Sequence, residues 1–240
     1  MNIQDKVVLI TGGAHRLGKA ISIGLARAGA KVIVHYNHSE QEAHATRDEI
    51  LALNREVLLA QGDFSNIHDI EKVVDLCLDH FDAIDVLVNN AAVYFGTPLR
   101  ETTQQQWDKL FEVNLRAPYF CSKCVAEKML QRKSGKIINI TDIAGVAAWA
   151  GFIPYSATKA GLIAITKGLA QELAPHIQVN AVAPGTVLLR ENETANADRT
   201  TLLKKVGSPQ DVVNTILFLI EGGDYITGEV ITVDGGRLLA

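Results

Sequence analysis

Cysteine is scarce in this chain of 240 residues, with Cys77, Cys121 and Cys124 as its full complement of three. So small and odd a number excludes the disulfide framework of a small secreted domain. Cys121 and Cys124 form a CxxC, but no second Cys or His pair at ligand spacing completes a tetrahedral zinc site, and no metal is expected. The stretch from Gln104 to Lys133 reads instead as one long helix, with Pro118 as its point of bending, that buries both thiols on one face. Positive charge is also in short supply. The formal net charge is −4 and no run of Lys or Arg exceeds two, so the electrostatic footprint for nucleic acid or an anionic membrane is missing. Long apolar runs are lacking too, and MNIQDKVVLITGG enters a strand pattern without the basic start and apolar stretch of a signal peptide. These absences lead to the expectation of a cytoplasmic protein that acts on a small molecule. No repeat, linker or low-complexity tract divides the chain, and 48% apolar residues can fill one substantial core, so residues 1–240 read as a single domain.

What the chain does contain is alternation. Short β-branched runs, VVLIT (7–11), KVIVHY (31–36), EVLLAQ (56–61), DVLVNN (85–90), GKIINIT (135–141), IQVNAV (177–182) and EVITVDG (229–235), are separated by amphipathic helical patterns. One such pattern, HRLGKAISIGLARAG, ends in Gly29; another, SPQDVVNTILFLI, opens with a serine cap and Pro209. Nearly continuous apolar strands joined by helices require a parallel sheet covered on both faces with right-handed crossovers. The expected fold is therefore α/β: one doubly wound, Rossmann-type domain of about seven parallel strands. The polar stretch RENETANADR (190–199) follows a strand end, where such sheets bind ligands, and is expected to be a mobile lid within 186–200.

The segment Thr11-Gly12-Gly13-Ala14-His15-Arg16-Leu17-Gly18 lies between the first strand and the first helix. Gly12 permits a tight turn, Gly18 permits close helix packing, and unpaired N–H groups at a helix start suit a dinucleotide phosphate. A glycine turn alone is weak, because any strand-to-helix turn can need positive φ, but its place in a βαβ unit strengthens the reading. After the second strand an acid would bind the free 2′-hydroxyl of NAD. Here the run is His35-Tyr36-Asn37-His38-Ser39, with no acid before Glu40. Donors at Arg16, His38 and Ser39, with the helix start at Ser39, favour the 2′-phosphate of NADP(H), unless these are merely solvated surface residues.

Tyr155-Ser156-Ala157-Thr158-Lys159 begins a helical pattern, which sets Tyr155 and Lys159 one turn apart on one face. A phenol holds its proton to about pH 10; a neighbouring ammonium stabilises the phenolate and makes the tyrosine a usable acid or base near neutrality. YxxxK is a common accident, and its position after the fifth strand of a dinucleotide fold is what gives it weight.

Taken in order, TGGAHRLG (11–18), Asp63 in GDFS, Asn89-Asn90-Ala91-Ala92, Asn114, YSATK (155–159), Pro184-Gly185 and YITGEVITVDGG (225–236) resemble the short-chain dehydrogenase/reductase family along essentially the whole chain. The resemblance implies that Asp63 and Phe64 border the adenine and that Asn90, Ala91 and Ala92 pass under the cofactor. It implies that Thr141 adjoins the cofactor, that Lys159 binds the nicotinamide ribose, that Asn114 holds a water joining Lys159 to solvent, and that the run from Pro184 through Gly185 to Val187 covers the nicotinamide. It also implies a homodimer or homotetramer.

Two departures point further. The family's loop usually carries glycine at Arg16, and its catalytic serine, thirteen residues before the tyrosine, is here Asp142. An ionised carboxylate opposes the charge that develops on a reduced carbonyl oxygen, whereas a nitrogen heterocycle needs an acceptor for its N–H groups and a proton for its ring nitrogen. In this respect the chain is similar to pteridine reductases, which share the Arg-Leu-Gly loop, a strand end like HYNHS and the Asp. The resemblance implies reduction of a pterin or folate-like substrate by NADPH, with Arg16, Tyr94, Asp142 and Tyr155 at the substrate and Tyr94 stacking on it. His38 replaces that group's arginine in the 2′-phosphate loop, and Ala92 replaces a cofactor-loop serine. Asp142 also has a bland reading, as a cap in an enzyme that uses Thr141 instead, and Tyr94 one as ordinary packing. An NADP-dependent carbonyl reductase, such as a 3-oxoacyl-thioester reductase, and a non-catalytic NADP-binding sensor or scaffold stand as alternatives.

Overall fold

The computed structural model describes residues 1–188 and 200–240, so the expected lid at 190–199 lies outside the described residues. Seven strands, β1 (Val7–Ile10), β2 (Lys31–Tyr36), β3 (Val57–Gln61), β4 (Val86–Asn89), β5 (Gly135–Ile140), β6 (Ile177–Pro184) and β7 (Val230–Val233), form one sheet in the order β3-β2-β1-β4-β5-β6-β7. All pairings are parallel, with Val8 opposite Val32 on one side of β1 and Val86 on the other. Between the strands run α1 (Arg16–Arg27), α2 (Glu40–Ala52), α3 (Ile67–Phe81), α4 (Gln104–Phe111), α5 (Ala117–Gln131), α6 (Ile153–Leu173) and α7 (Pro209–Glu221).

Successive side chains of a strand leave opposite faces of the sheet, and the two cores follow from that period. Val8 and Ile10 of β1 join one core with α1 and α7, whereas Val7 and Leu9 join the other with α3, α5 and α6. A strand buried on both sides must be apolar throughout, hence the unbroken runs in the sequence. Side-chain caps begin α3, α4 and α7, whereas Ser39 at the start of α2 makes none. Asn66 accepts from the His68 N–H, Thr103 and Gln106 form a reciprocal capping box, and Asp211 accepts from both the N–H and the hydroxyl of Ser208 ahead of Pro209.

The long helix expected from Gln104 to Lys133 is interrupted. A π-helical turn at Glu112–Arg116 joins α4 to α5, and Pro118 sits in the first turn of α5 rather than at a bend. The helical run itself continues through this turn, with the Ala117 N–H donating to the Glu112 carbonyl, and a π turn just ahead of a proline accommodates the N–H that proline lacks. The extra residue in the π turn carries the chain past buried Asn114. Cys121 is buried as expected, but Cys124 is only partly covered. No helix among the described residues is long and apolar enough to cross a membrane, and those residues contain no cluster suited to a metal.

Candidate active site

The carboxyl ends of the strands open onto a cleft of about 610 Å³. The first wall is the β1–α1 loop, where Gly12 adopts φ +60° and a Cβ on Gly18 would fall on the Gly12 carbonyl. Arg16 itself has φ +52°, in the left-handed region that a glycine enters without strain. The family's usual glycine thus has a physical reason, and the arginine is held in a strained backbone at the cleft. Asn90 ties this loop to β4 by donating to the carbonyls of Thr11 and Gly12, and Thr11 Oγ1 accepts from the N–H groups of Asn90 and Ala91.

His35, at the end of β2, lines the cleft but turns its ring into the protein and is 2% exposed. Its Nδ1 accepts the Gly12 N–H at 3.0 Å, which fixes the proton on Nε2, 3.0 Å from the Gly62 carbonyl. The imidazole stacks on Phe64 at 3.7 Å. With both nitrogens engaged by backbone, His35 shapes the cofactor end and offers no donor to a phosphate. Burial pushes its pKa down to about 4. Tyr36, Asn37, His38 and Ser39 continue the wall beside Arg16, His15 and Leu17, without a carboxylate among them. Burial alone would raise the Asp63 carboxyl, but bonds from the Ser65 N–H and hydroxyl and the nearby Lys109 charge reverse this and hold it below the ordinary range.

The other end is chemical. Burying one face of α6 sets Tyr155 and Lys159 together beneath β5, with Lys159 Nζ 5.8 Å from the Tyr155 ring centre. Lys159 donates to the Ile140 carbonyl at 2.9 Å, and burial lowers its pKa to about 8 against the opposing pull of Asp142. Tyr155 Oη donates to Asp142 Oδ2 at 2.8 Å, while Asp142 Oδ1 accepts the Ala144 N–H at 2.8 Å. The carboxyl is therefore both a cap and a partner of the tyrosine. Thr141, by contrast, spends its hydroxyl on the Val182 carbonyl at 3.0 Å. Burial raises the Asp142 pKa, opposed by the Ala144 N–H, the Tyr155 hydroxyl, Lys159 and Arg237.

Ala91, Ala92, Pro184, Gly185 and Val187 line the cleft between these ends. Asn114 stands behind the wall, its amide pairing with the Val93 N–H at 2.8 Å and carbonyl at 2.9 Å, which anchors the segment that carries Tyr94. Tyr94 reaches the cleft, yet it stacks on Phe152 at 4.9 Å and meets Tyr155 edge-on at 4.8 Å. Thr186, inside the 184–187 run expected over the nicotinamide, lines the cleft too, as do Trp149 and Lys109, which sequence reasoning missed. The signal for Trp149 was slight, a large aromatic in an apolar loop shortly before Tyr155.

A parallel doubly wound sheet with a glycine turn at its first strand and a Tyr–Lys pair at the far end of one cleft defines a dinucleotide-dependent oxidoreductase. The short chain dehydrogenase family profile matches residues 6–200. The chain belongs to that family, whose enzymes use NAD(P)H. It is 39% identical to a 3-oxoacyl-[acyl-carrier-protein] reductase from Synechocystis sp., over 98% of this chain and 97% of the relative. It is 38% identical to the (2S)-[(R)-hydroxy(phenyl)methyl]succinyl-CoA dehydrogenase subunit BbsD of Thauera aromatica, over 100% and 99% of the two chains. The crystal structure of a short chain dehydrogenase from Bacillus anthracis superposes with a TM-score of 0.90 at 31% identity, covering 98% of this chain and 97% of that one.

Proposed function

We propose that this enzyme is an NADPH-dependent reductase of pterins or related C=N heterocycles. The observation that carries the reading is the 2.8 Å hydrogen bond from Tyr155 to a carboxyl group, Asp142, where the family places a serine. When bound, the dinucleotide supplies hydride. Arg16, His38 and Ser39 would hold its 2′-phosphate, Asp63 and Phe64 its adenine, and Lys159 its nicotinamide ribose; Pro184, Gly185 and Val187 would cover the ring. Reduction of C=N leaves a ring nitrogen that must take a proton, and Tyr155 is placed to deliver it with Lys159 easing loss from the phenol. Asp142 accepts N–H groups of the heterocycle and stabilises the positive charge that builds on it. Tyr94 borders the substrate, and Asn114 supports the proton route by fixing its neighbouring loop. A homodimer or homotetramer belongs to the same proposal.

A second reading, reduction of a 3-oxoacyl thioester, is the one that the named relatives favour. It fits the Tyr155–Lys159 pair equally well and fits Asp142 poorly, since a carboxylate beside a forming alkoxide is repulsive. Following NADPH oxidation with dihydrobiopterin, dihydrofolate and an acetoacetyl thioester separates the two. The pterin reading expects the highest kcat/KM on a reduced-ring heterocycle. A thioester turned over far faster than either heterocycle overturns it.

A further inference from the structure

Past β7 the chain turns through Asp234-Gly235-Gly236 into a short helical turn at Arg237–Leu239. The Asp234 carboxylate fixes this turn by accepting from the Gly236 N–H at 2.8 Å and the Leu238 N–H at 2.9 Å. Arg237 is thereby aimed back at the cleft. Its Nη1 donates to Thr186 Oγ1 at 2.7 Å, and its guanidinium lies 5.5 Å from the centre of the Trp149 ring. Thr186 and Trp149 line the cleft from two different segments, one after β6 and one between β5 and α6.

Trp149 is held at its backbone as well, donating its N–H to Ser156 Oγ at 3.2 Å. Its ring meets Phe152 nearly edge-on, and Phe152 lies flat on Tyr94 with an interplanar angle of 11°. The substrate end is thus a corner of aromatic faces above Tyr155, and the Arg237 guanidinium lies over the Trp149 ring behind it.

We propose that Arg237 is a specificity-determining residue of the substrate end, which clamps Trp149 and Thr186 into a fixed wall and so shapes the cleft for a flat ring. A guanidinium stacked on an indole is attracted by the ring quadrupole while its N–H groups remain available in plane, and here one of them takes Thr186. A side chain locked in this way loses no rotamer freedom when substrate arrives, so the clamp acts on substrate binding rather than on hydride transfer. The same positive charge favours the ionised form of Asp142, which suits an N–H-bearing heterocycle. The substrate class in this inference rests on the pterin reading; the clamp itself does not.

Two readouts test it. Trp107 and Trp149 are the only tryptophans, so in a Trp107→Phe background Trp149 reports alone. Arg237→Met should at least double acrylamide quenching of Trp149, and Arg237→Lys, which keeps charge without the planar stack, should fall between. A rise below twofold overturns the clamp whatever the substrate is. In turnover, Arg237→Met should raise KM for dihydrobiopterin tenfold or more with kcat within threefold and the Kd for NADPH unchanged. A loss seen mainly in kcat, or an equal loss in NADPH affinity, overturns the assignment to the substrate end. If Arg237→Met does not fold, Arg237→Lys and Trp149→Leu carry the comparison. Each should raise KM, and their double variant should exceed the worse single by no more than twofold, because both remove one contact. Fully additive losses overturn the clamp. Wild-type enzyme that reduces only the thioester refutes the pterin reading and leaves the quenching result to decide the clamp.

Discussion

Tyr155 donates to Asp142 across 2.8 Å, so the proposed proton donor of this site is aligned on a carboxyl group. Asp142→Ser should therefore lower kcat for a pterin a hundredfold or so, the low end of what a positioned acid–base group contributes, and lower substrate affinity less. Activity toward a simple ketone should stay level or rise, since the change restores a neutral hydroxyl donor. Steady-state kinetics on both substrates check this; full pterin turnover by the variant would refute the role of Asp142.

Lys159 should set an alkaline limb. Burial holds its pKa to about 8, and Asp142 opposes that lowering. The charged form is needed to ease proton loss from Tyr155, so kcat/KM should fall as pH rises through about 8. Asp142→Asn removes the opposing charge and should move that limb to lower pH, read from a pH–rate profile. Tyr155→Phe should cost at least tenfold at every pH with NADPH binding nearly intact.

Arg16 combines a strained backbone, φ +52°, with a side chain at the cofactor end of the cleft. Arg16→Gly should stabilise the fold by about 1 kcal/mol, the cost of a left-handed L-residue. The same change should raise KM for NADPH several-fold more than KM for NADH. Thermal unfolding and cofactor titrations separate the two effects, and an Arg16→Gly enzyme that is less stable with unchanged NADPH affinity would contradict both.

His35 makes stability depend on acidity. Its folded pKa is about 4 and its ordinary value 6.5, so between these the unfolded chain takes up a proton that the folded chain refuses. Stability should be constant from this group above pH 6.5 and decline as pH falls toward 4, by about 3 kcal/mol at most. His35→Asn keeps an acceptor for the Gly12 N–H without titrating, and should flatten that decline; His35→Leu should also weaken NADPH binding. Urea unfolding at pH 7, 5.5 and 4.5 measures the slopes, and equal slopes for wild type and His35→Asn would exclude His35 as the source.

Gly18 bears on the phosphate end. A Cβ there would meet the Gly12 carbonyl backbone and the Asn90 amide, neither of which can give way without opening the loop. Gly18→Ala should weaken NADPH binding tenfold or more, measured by fluorescence titration, while NADH weakens in parallel because the loop serves the shared pyrophosphate.

The sheet, its parallel direction and the strand-end position of the cleft were legible in the sequence because they follow from local rules: apolar runs of strand length, helical periodicity between them, glycine where φ must be positive. The glycine turn and the Tyr155–Lys159 pair were equally visible, since one turn of helix fixes their spacing. Contacts that join distant segments were not. Nothing local shows that His35 faces inward to accept the Gly12 N–H, that Thr141 gives its hydroxyl to Val182 and leaves Asp142 to Tyr155, or that a π turn replaces the expected bend at Pro118. Arg237 and Trp149 come from separate loops and meet only when β5, β6 and β7 are side by side. The sequence by itself determined which residues could do the chemistry, through periodicity and backbone preference. The tertiary structure alone decided which of their polar atoms face the cleft, because each buried donor and acceptor had to find its partner across the fold.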